Sequence, residues 1–261
     1  MEKQLWALIL GSSSGFGEAT ALELARLGYN IFGVHLDRRG TMPHVEEVIS
    51  KIKGYGREAI FFNMNASDEE KRKEVVAKIQ EEFAKKPGTV RVLMHSLAFG
   101  SLHPLVGSET TITRAQMDMT ADVMGHSLVY WVQAVVGAGV MEAGGRIYAM
   151  TSSGGTRVMP SYGAVSAAKA ILESHVRQLS MELAPRKITA NAIRAGVTDT
   201  PALRKIPGSD KLISDAEARN PYKRLTTTED IAAAIGVLAL PNTYWLTGNT
   251  LGVDGGEDIV G

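Results

Sequence analysis

The stretch PSYGAVSAAKA (160–170) holds a phenol and an ammonium, Tyr162 and Lys169, seven positions apart. At about 100° per residue, a seven-residue step on a helix returns to within roughly 20° of the starting face. Both side chains then point one way, two turns apart. A cation beside a phenol favours the phenolate, so the pairing predicts a lowered Tyr162 pKa and a better proton donor near neutral pH. The lysine can also hold a ribose hydroxyl. Val165, four before the lysine, has no proton to give. Ser152 and Ser153, in AMTSSGG, would form the opposite wall. The plain alternative is a helix-capping tyrosine and a surface lysine. Pro160 cannot donate inside a helix but suits its start, so a helix is expected from about 160–162.

Such a pair needs a scaffold, and the chain supplies a repeating one. Short apolar runs occur at 5–10, 30–36, 59–64, 90–96, 146–152, 188–193 and 250–254. Several are apolar throughout, as parallel strands covered on both faces are. Helical patterns lie between them, near 16–28, 43–54, 67–86, 114–141, 162–184 and 229–239. Asp68, Glu69 and Glu70 open the third of these and Lys85 and Lys86 close it, matching the helix dipole. Alternating strands and helices predict an α/β fold with a doubly wound parallel sheet, one Rossmann-type domain over residues 1–261. Residues 198–222, with TPALRKIPGSD and ARNPYKR, show no clear element and read as a substrate-covering loop.

The turn after the first strand is GSSSGFG: Gly11, Ser13, Ser14, Gly15, Phe16 and Gly17. The glycines allow a tight turn and close backbone approach, and the following helix N-terminus offers free N–H groups to a pyrophosphate. The second strand ends VHLDRRG. An acid here favours the free 2′-hydroxyl of NAD, and arginine accommodates the 2′-phosphate of NADP. The slot that most often holds the acid counts to His35, two before Asp37. Arg38 and Arg39 therefore favour NADPH, with NADH left open; a solvated charged turn is the bland alternative. Asn65 and Ala66, after the third strand, would lie under the adenine. Ser96, Leu97 and Ala98 follow the fourth strand and would pass close to the ribose. His95 is read as a strand-end histidine bonding backbone groups. His103 and His126 have no second ligand at metal spacing, and no metal site is expected.

Composition narrows the function further. The 261 residues carry 28 Lys plus Arg against 28 Asp plus Glu. A neutral chain has no global attraction to nucleic acid or an anionic membrane. The absence of Cys excludes disulfides, thiolate metal sites and Cys nucleophiles. The first apolar run is too short to span a membrane and leads into a Gly/Ser turn, so a cytoplasmic protein is expected.

Taken in order, GSSSGFG, the TSS of 151–153, AGVTDT (195–200) and TGNTLGVDGG (247–256) resemble the short-chain dehydrogenase/reductases over essentially the full length. The seven-residue Tyr–Lys step, HSLAFG and SYGAVSAAKAILESHVRQLSMELAP are similar to their enoyl-acyl-carrier-protein reductase branch. Ketoreductase-type members usually carry an Asn where this chain has Met124. Many enoyl reductases carry a second tyrosine where this chain has Ser152, the place of the ketoreductase catalytic serine. The resemblance implies Tyr162, Lys169 and Ser152 as catalytic residues. It places Ala195, Gly196, Val197, Thr198 and Thr200 at the nicotinamide or phosphate end of the cofactor. It implies NADPH-dependent reduction of a trans-2-enoyl thioester on an acyl carrier protein, by a homotetramer. A 3-oxoacyl or other carbonyl reductase, and a catalytically silent cofactor-binding regulator, are the alternatives. Arg204 and Lys205, in PALRKI, would meet the acyl chain and an acidic carrier, or only solvent.

Overall fold

The computed structural model describes residues 3–107 and 110–260. Seven strands run β1 (Gln4–Leu10), β2 (Asn30–His35), β3 (Ala59–Asn63), β4 (Gly88–His95), β5 (Arg146–Ser152), β6 (Thr189–Ala195) and β7 (Thr250–Val253). They form one sheet in the order β3-β2-β1-β4-β5-β6-β7. Every pairing is parallel. Strand order reverses between β1 and β4, so their carboxyl ends open a crevice there, the usual ligand position in such sheets. The apolar runs become strands because both sheet faces are covered. Leu8, Phe32 and Ile147 pack into the core on one face, and Ile9, Ile31 and Met94 into that on the other; all six are fully buried. Each such side chain is worth ~1.5–3 kcal/mol over its exposed form.

The helices are α1 (Gly15–Arg26), α2 (Met42–Gly54), α3 (Glu69–Lys85), α4 (Arg114–Ala121), α5 (Ser127–Gly137), α6 (Gly163–Leu183), α7 (Ser209–Arg219) and α8 (Thr228–Leu238). The Asp68 carboxylate accepts from the Lys71 N–H at 3.0 Å and starts α3 where its charges predicted. Two expectations change. The pattern at 114–141 is interrupted by a π-helical turn, Asp122–His126, which an apolar periodicity does not reveal. The segment 198–222 is not a bare loop, because α7 lies within it after a short 3₁₀ turn at Leu203–Lys205. Only Ala216 of α7 is fully buried, so the helix has little apolar stripe to announce it. The helix carrying the catalytic candidates begins at Gly163, with Tyr162 as its N-cap and Ser161 at φ 59° just before.

Candidate active site

The turn between β1 and α1 is shaped for close approach. Gly11 sits at φ 88° and Gly15 at φ 56°, in the left-handed region that favours glycine. A Cβ on Gly11 would collide with the Ser96 carbonyl oxygen, and one on Gly17 with the Gly11 carbonyl oxygen. A Cβ on Gly15 would stand 3.6 Å from the Thr200 methyl. The α1 N-cap, Ser14, makes no side-chain capping bond. The first N–H groups of α1 are thus left to an external acceptor, and this cradle fits the pyrophosphate of a dinucleotide.

At the end of β2 the Asp37 carboxylate turns inward. It lies 2.9 Å from His35 Nδ1. Hydrogen bonds from Ser13, Thr41 and His35 hold its pKa below the usual carboxylate range, against burial, which is the largest single influence and pushes it up. Arg38 and Arg39 stand exposed beside it. Asn65 is exposed on the turn after β3, where its Oδ1 accepts from the Ser67 N–H at 3.1 Å. Ala66 is buried and its carbonyl accepts from Trp131 Nε1 at 2.8 Å.

The remaining candidates converge on one cavity of about 390 Å³. Phe16, Ser96, Leu97 and Ala98 line it from one side, and Ser152, Tyr162 and Lys169 from the other. Ala195, Gly196, Val197, Thr198 and Thr200 form its edge after β6. Leu97, Leu102, Met124, Met159, Val165 and Ile206 give it apolar walls. Gly11, Ser13, Ser14, Gly15, Gly17, Asp37, Arg38, Arg39, Asn65 and Ala66 do not line this cavity; they belong to the turns after β1, β2 and β3.

The electrostatics of the pair differ from the expectation. Burial pushes the Tyr162 phenol pKa up, and a hydrogen bond with the Ser152 side chain offsets part of that. The lowering by a neighbouring ammonium does not occur, because the Lys169 ammonium is used elsewhere: it donates to the Met150 carbonyl at 2.7 Å. Lys169 is 6% exposed. Burial lowers its pKa to about 8, with Glu173 pulling the other way. Tyr162 is therefore a neutral phenol throughout the physiological range, able to donate a hydrogen bond. Ser152 Oγ accepts from the Gly154 N–H at 3.1 Å, which fixes the wall opposite.

His95 is fully buried with its pKa lowered to about 3, chiefly by burial and then by Lys169. Its Nε2 lies 2.8 Å from Ser127 Oγ, and hydrogen bonding with the backbone of His95 and Val123 pulls the pKa the other way. That hydroxyl gives its own proton to the Val123 carbonyl at 2.8 Å, so Nε2 is the donor. His126 also has a partner, His175, at 3.0 Å. Among the described residues no cluster of three or more His, Asp or Glu could hold a metal, and no helix is long and apolar enough to cross a membrane.

The cover over the cavity departs from the sequence reading. Arg204 is bound by Asp199 at 2.6 Å and Asp210 at 2.7 Å, so its charge is already matched. Lys205 lines the cavity and is exposed. Two charged lining residues, Arg157 and Arg219, are not singled out by the sequence reading. Both pair with the consecutive acids Glu257 and Asp258: Arg219 with Glu257 at 3.1 Å and Arg157 with Asp258 at 2.9 Å. The adjacent acids close behind GVDGG were the available signal.

Comparison with known proteins identifies the family. Residues 11–257 match the family described as enoyl-(acyl carrier protein) reductase. A Nostoc enoyl-[acyl-carrier-protein] reductase [NADH] is 30% identical over 92% of this chain and 90% of its own. A Pseudomonas aeruginosa 3-oxoacyl-[acyl-carrier-protein] reductase is 29% identical over 96% of both chains. The solved enoyl-[acyl-carrier-protein] reductase (NADH) of Aquifex aeolicus superposes with a TM-score of 0.86 at 25% identity, covering 100% of this chain and 98% of that one. The chain belongs to the short-chain dehydrogenase/reductase superfamily, as an oxidoreductase that binds a nicotinamide cofactor and matches the enoyl-(acyl carrier protein) reductase family.

Proposed function

We propose that the protein reduces the carbon–carbon double bond of a trans-2-enoyl thioester carried on an acyl carrier protein, using NADPH. When bound, the nicotinamide supplies a hydride to the β-carbon. Tyr162 donates a hydrogen bond to the thioester oxygen as negative charge gathers there, a preorganised contact worth ~2.7–4 kcal/mol of barrier. Lys169, its ammonium anchored on the Met150 carbonyl, would hold the nicotinamide ribose with a remaining N–H and supply positive potential there. Ser152 orients the Tyr162 hydroxyl. The apolar walls take the acyl chain, and α7 with Lys205 covers it.

The observation that carries this reading is Met124. It is 3% exposed, lines the cavity and packs in one cluster with Tyr162 and Val165. Carbonyl reduction hands a whole proton to an alkoxide, and the tyrosine must then be refilled. Reduction of an enoyl thioester leaves a delocalised enolate, which Tyr162 need only hydrogen-bond, because the proton that completes the saturated product is added at the α-carbon and comes from solvent water. A thioether has no proton to pass along. A second reading, reduction of a 3-oxoacyl thioester, is favoured by the hydrogen bond between Ser152 and Tyr162. A silent cofactor-binding role is disfavoured by the convergence of Tyr162 and Lys169 on one cavity.

Two features compete over the cofactor. Arg38 and Arg39 are exposed, ready to meet a 2′-phosphate. The inward Asp37 carboxylate would instead accept from a free 2′-hydroxyl and repel a phosphate, which favours NADH. The assembly proposed is a cytoplasmic homotetramer. The exposed Tyr244, Trp245 and Leu246, close in sequence to the edge strand β7, give it apolar surface to bury; sedimentation measures it.

One assay decides the chemistry. Purified protein is mixed with crotonyl thioester, then acetoacetyl thioester, each with NADPH and with NADH, while cofactor absorbance is followed. Turnover of the crotonyl substrate with NADPH preferred is expected. Turnover of the keto substrate alone defeats the enoyl reading, and a preference for NADH assigns Asp37 the decisive role at the ribose.

A further inference from the structure

The cavity is braced from behind by a carboxylate near the chain's end. Glu257 is 3% exposed, and both its oxygens are engaged. Oε2 accepts from the Val197 N–H at 3.0 Å. Oε1 accepts from the Arg219 guanidinium at 3.1 Å. Val197 lies in the strap that leaves β6 along the cavity edge. Arg219 ends α7 and lines the same cavity. The fit is close: a Cβ on Gly196 would stand 2.9 Å from Glu257 Oε2. One acid thus touches the strap and the cover at once.

The turn that delivers Glu257 is itself fixed. Gly256 adopts φ 83°. The Asp254 carboxylate accepts from the Gly256 N–H at 2.9 Å and the Asp258 N–H at 3.1 Å. The buried Asn220, next to Arg219, donates from Nδ2 to the Asp254 carbonyl at 2.9 Å. Asp258 pairs with Arg194 of β6 at 3.0 Å. A buried ion pair is weak evidence for stability, because desolvation offsets the attraction. Removing one acceptor, however, frees the groups it held. Here those groups are a strap amide and the terminal arginine of the cover.

We propose that Glu257 is a positioning residue that holds the 195–198 strap for the cofactor through Val197 and α7 for the substrate through Arg219. The inference rests on the placement of the nicotinamide along that strap. The Val197 N–H is consumed by Glu257, so the carboxylate sets how the neighbouring Gly196 and Thr198 are presented. The Arg219 contact makes the same carboxylate the hinge-side anchor of the cover.

Three variants separate the two contacts. Glu257→Ala loses both. Glu257→Gln keeps an acceptor for Val197 but loses the ion pair. Arg219→Met loses only the ion pair. Cofactor affinity is read from nicotinamide fluorescence with NADPH and NADH. Amide exchange of the 195–200 segment is followed in the free protein. The thioester KM is measured with whichever acyl substrate turns over. Glu257→Ala is expected to raise the cofactor Kd ~10-fold and to lose protection at Val197. Glu257→Gln and Arg219→Met are expected to retain both cofactor Kd and protection while raising the thioester KM. Wild-type Kd and protection in Glu257→Ala overturn the proposal. So does an unchanged thioester KM in either of the other two, which decides the matter even if the alanine variant does not fold. Exchange and cofactor Kd do not depend on which acyl group is reduced, so failure here is distinct from failure of the enoyl reading.

Discussion

The turn after β1 and the strap after β6, which we propose flank one cofactor, are built by opposite means. The first is a matter of backbone. Gly11, Gly15 and Gly17 leave room that any side chain would fill, and no ion pair is needed to hold them. The second is held by side chains from elsewhere: Glu257 reaches Val197, and Asp258 reaches Arg194 and Arg157. A region shaped by missing atoms is broken by adding one carbon. A region shaped by distant charges is broken by substitutions far away in sequence.

The largest effect is expected at the catalytic wall between them. Tyr162→Phe removes the donor and leaves the ring, so kcat should fall ~10²–10³-fold while the cofactor Kd stays near wild type. Parallel loss of cofactor affinity would make the tyrosine part of the cradle instead. Gly17→Ala should come next. Its Cβ meets the Gly11 carbonyl oxygen, so the turn must open, at ~1–3 kcal/mol, seen as a lower Tm and weaker cofactor binding. Wild-type affinity in that variant would mean that the turn yields without loss.

A smaller effect follows from Lys169, whose pKa is lowered to about 8 from 10.5. The rate, taken as kcat/KM, should decline above pH 8 as the ammonium loses its proton. Stability should move the other way. Between pH 8 and 10.5 the unfolded lysine binds more protons than the native one, so the Lys169 contribution to stability rises with pH in that window. Lys169→Met should remove this rise in thermal melts taken across the range; a rise that persists assigns it to another group. The smallest effect is expected at Arg204→Ala. Its partners Asp199 and Asp210 are exposed, so Tm and thioester KM should barely change. A large KM increase would return this arginine to the substrate contact first expected of it.

The same contrast explains what was legible in the sequence. The glycine turn, the apolar strands and the Tyr162–Lys169 face follow local rules of spacing, and the structure places them accordingly. The destination of the Lys169 ammonium does not follow from its helix. It depends on the Met150 carbonyl, which β5 presents 19 positions away. The π-helical turn at Asp122–His126 keeps a helical pattern on both sides and so hides its extra residue. Helix α7 was hidden by its composition, since SDKLISDAEAR buries only Ala216 and lies between turn-forming PG and NP. Glu257 is not evident from the sequence because the closing segment reads as a solvated acidic glycine turn until its carboxylate is seen to meet residues 60 and 38 positions back.

The central claim is that hydride adds to the β-carbon of a conjugated carbon–carbon double bond, rather than to a carbonyl carbon, at the Tyr162 site. It is tested most directly with NADPH deuterated at the transferring position, crotonyl thioester, and mass and NMR analysis of the product. Deuterium at the β-carbon of a saturated thioester is the predicted result, and it should drop sharply in yield with Tyr162→Phe. No label in a butyryl product, with deuterium found only on the carbinol carbon when acetoacetyl thioester is supplied, would contradict the account.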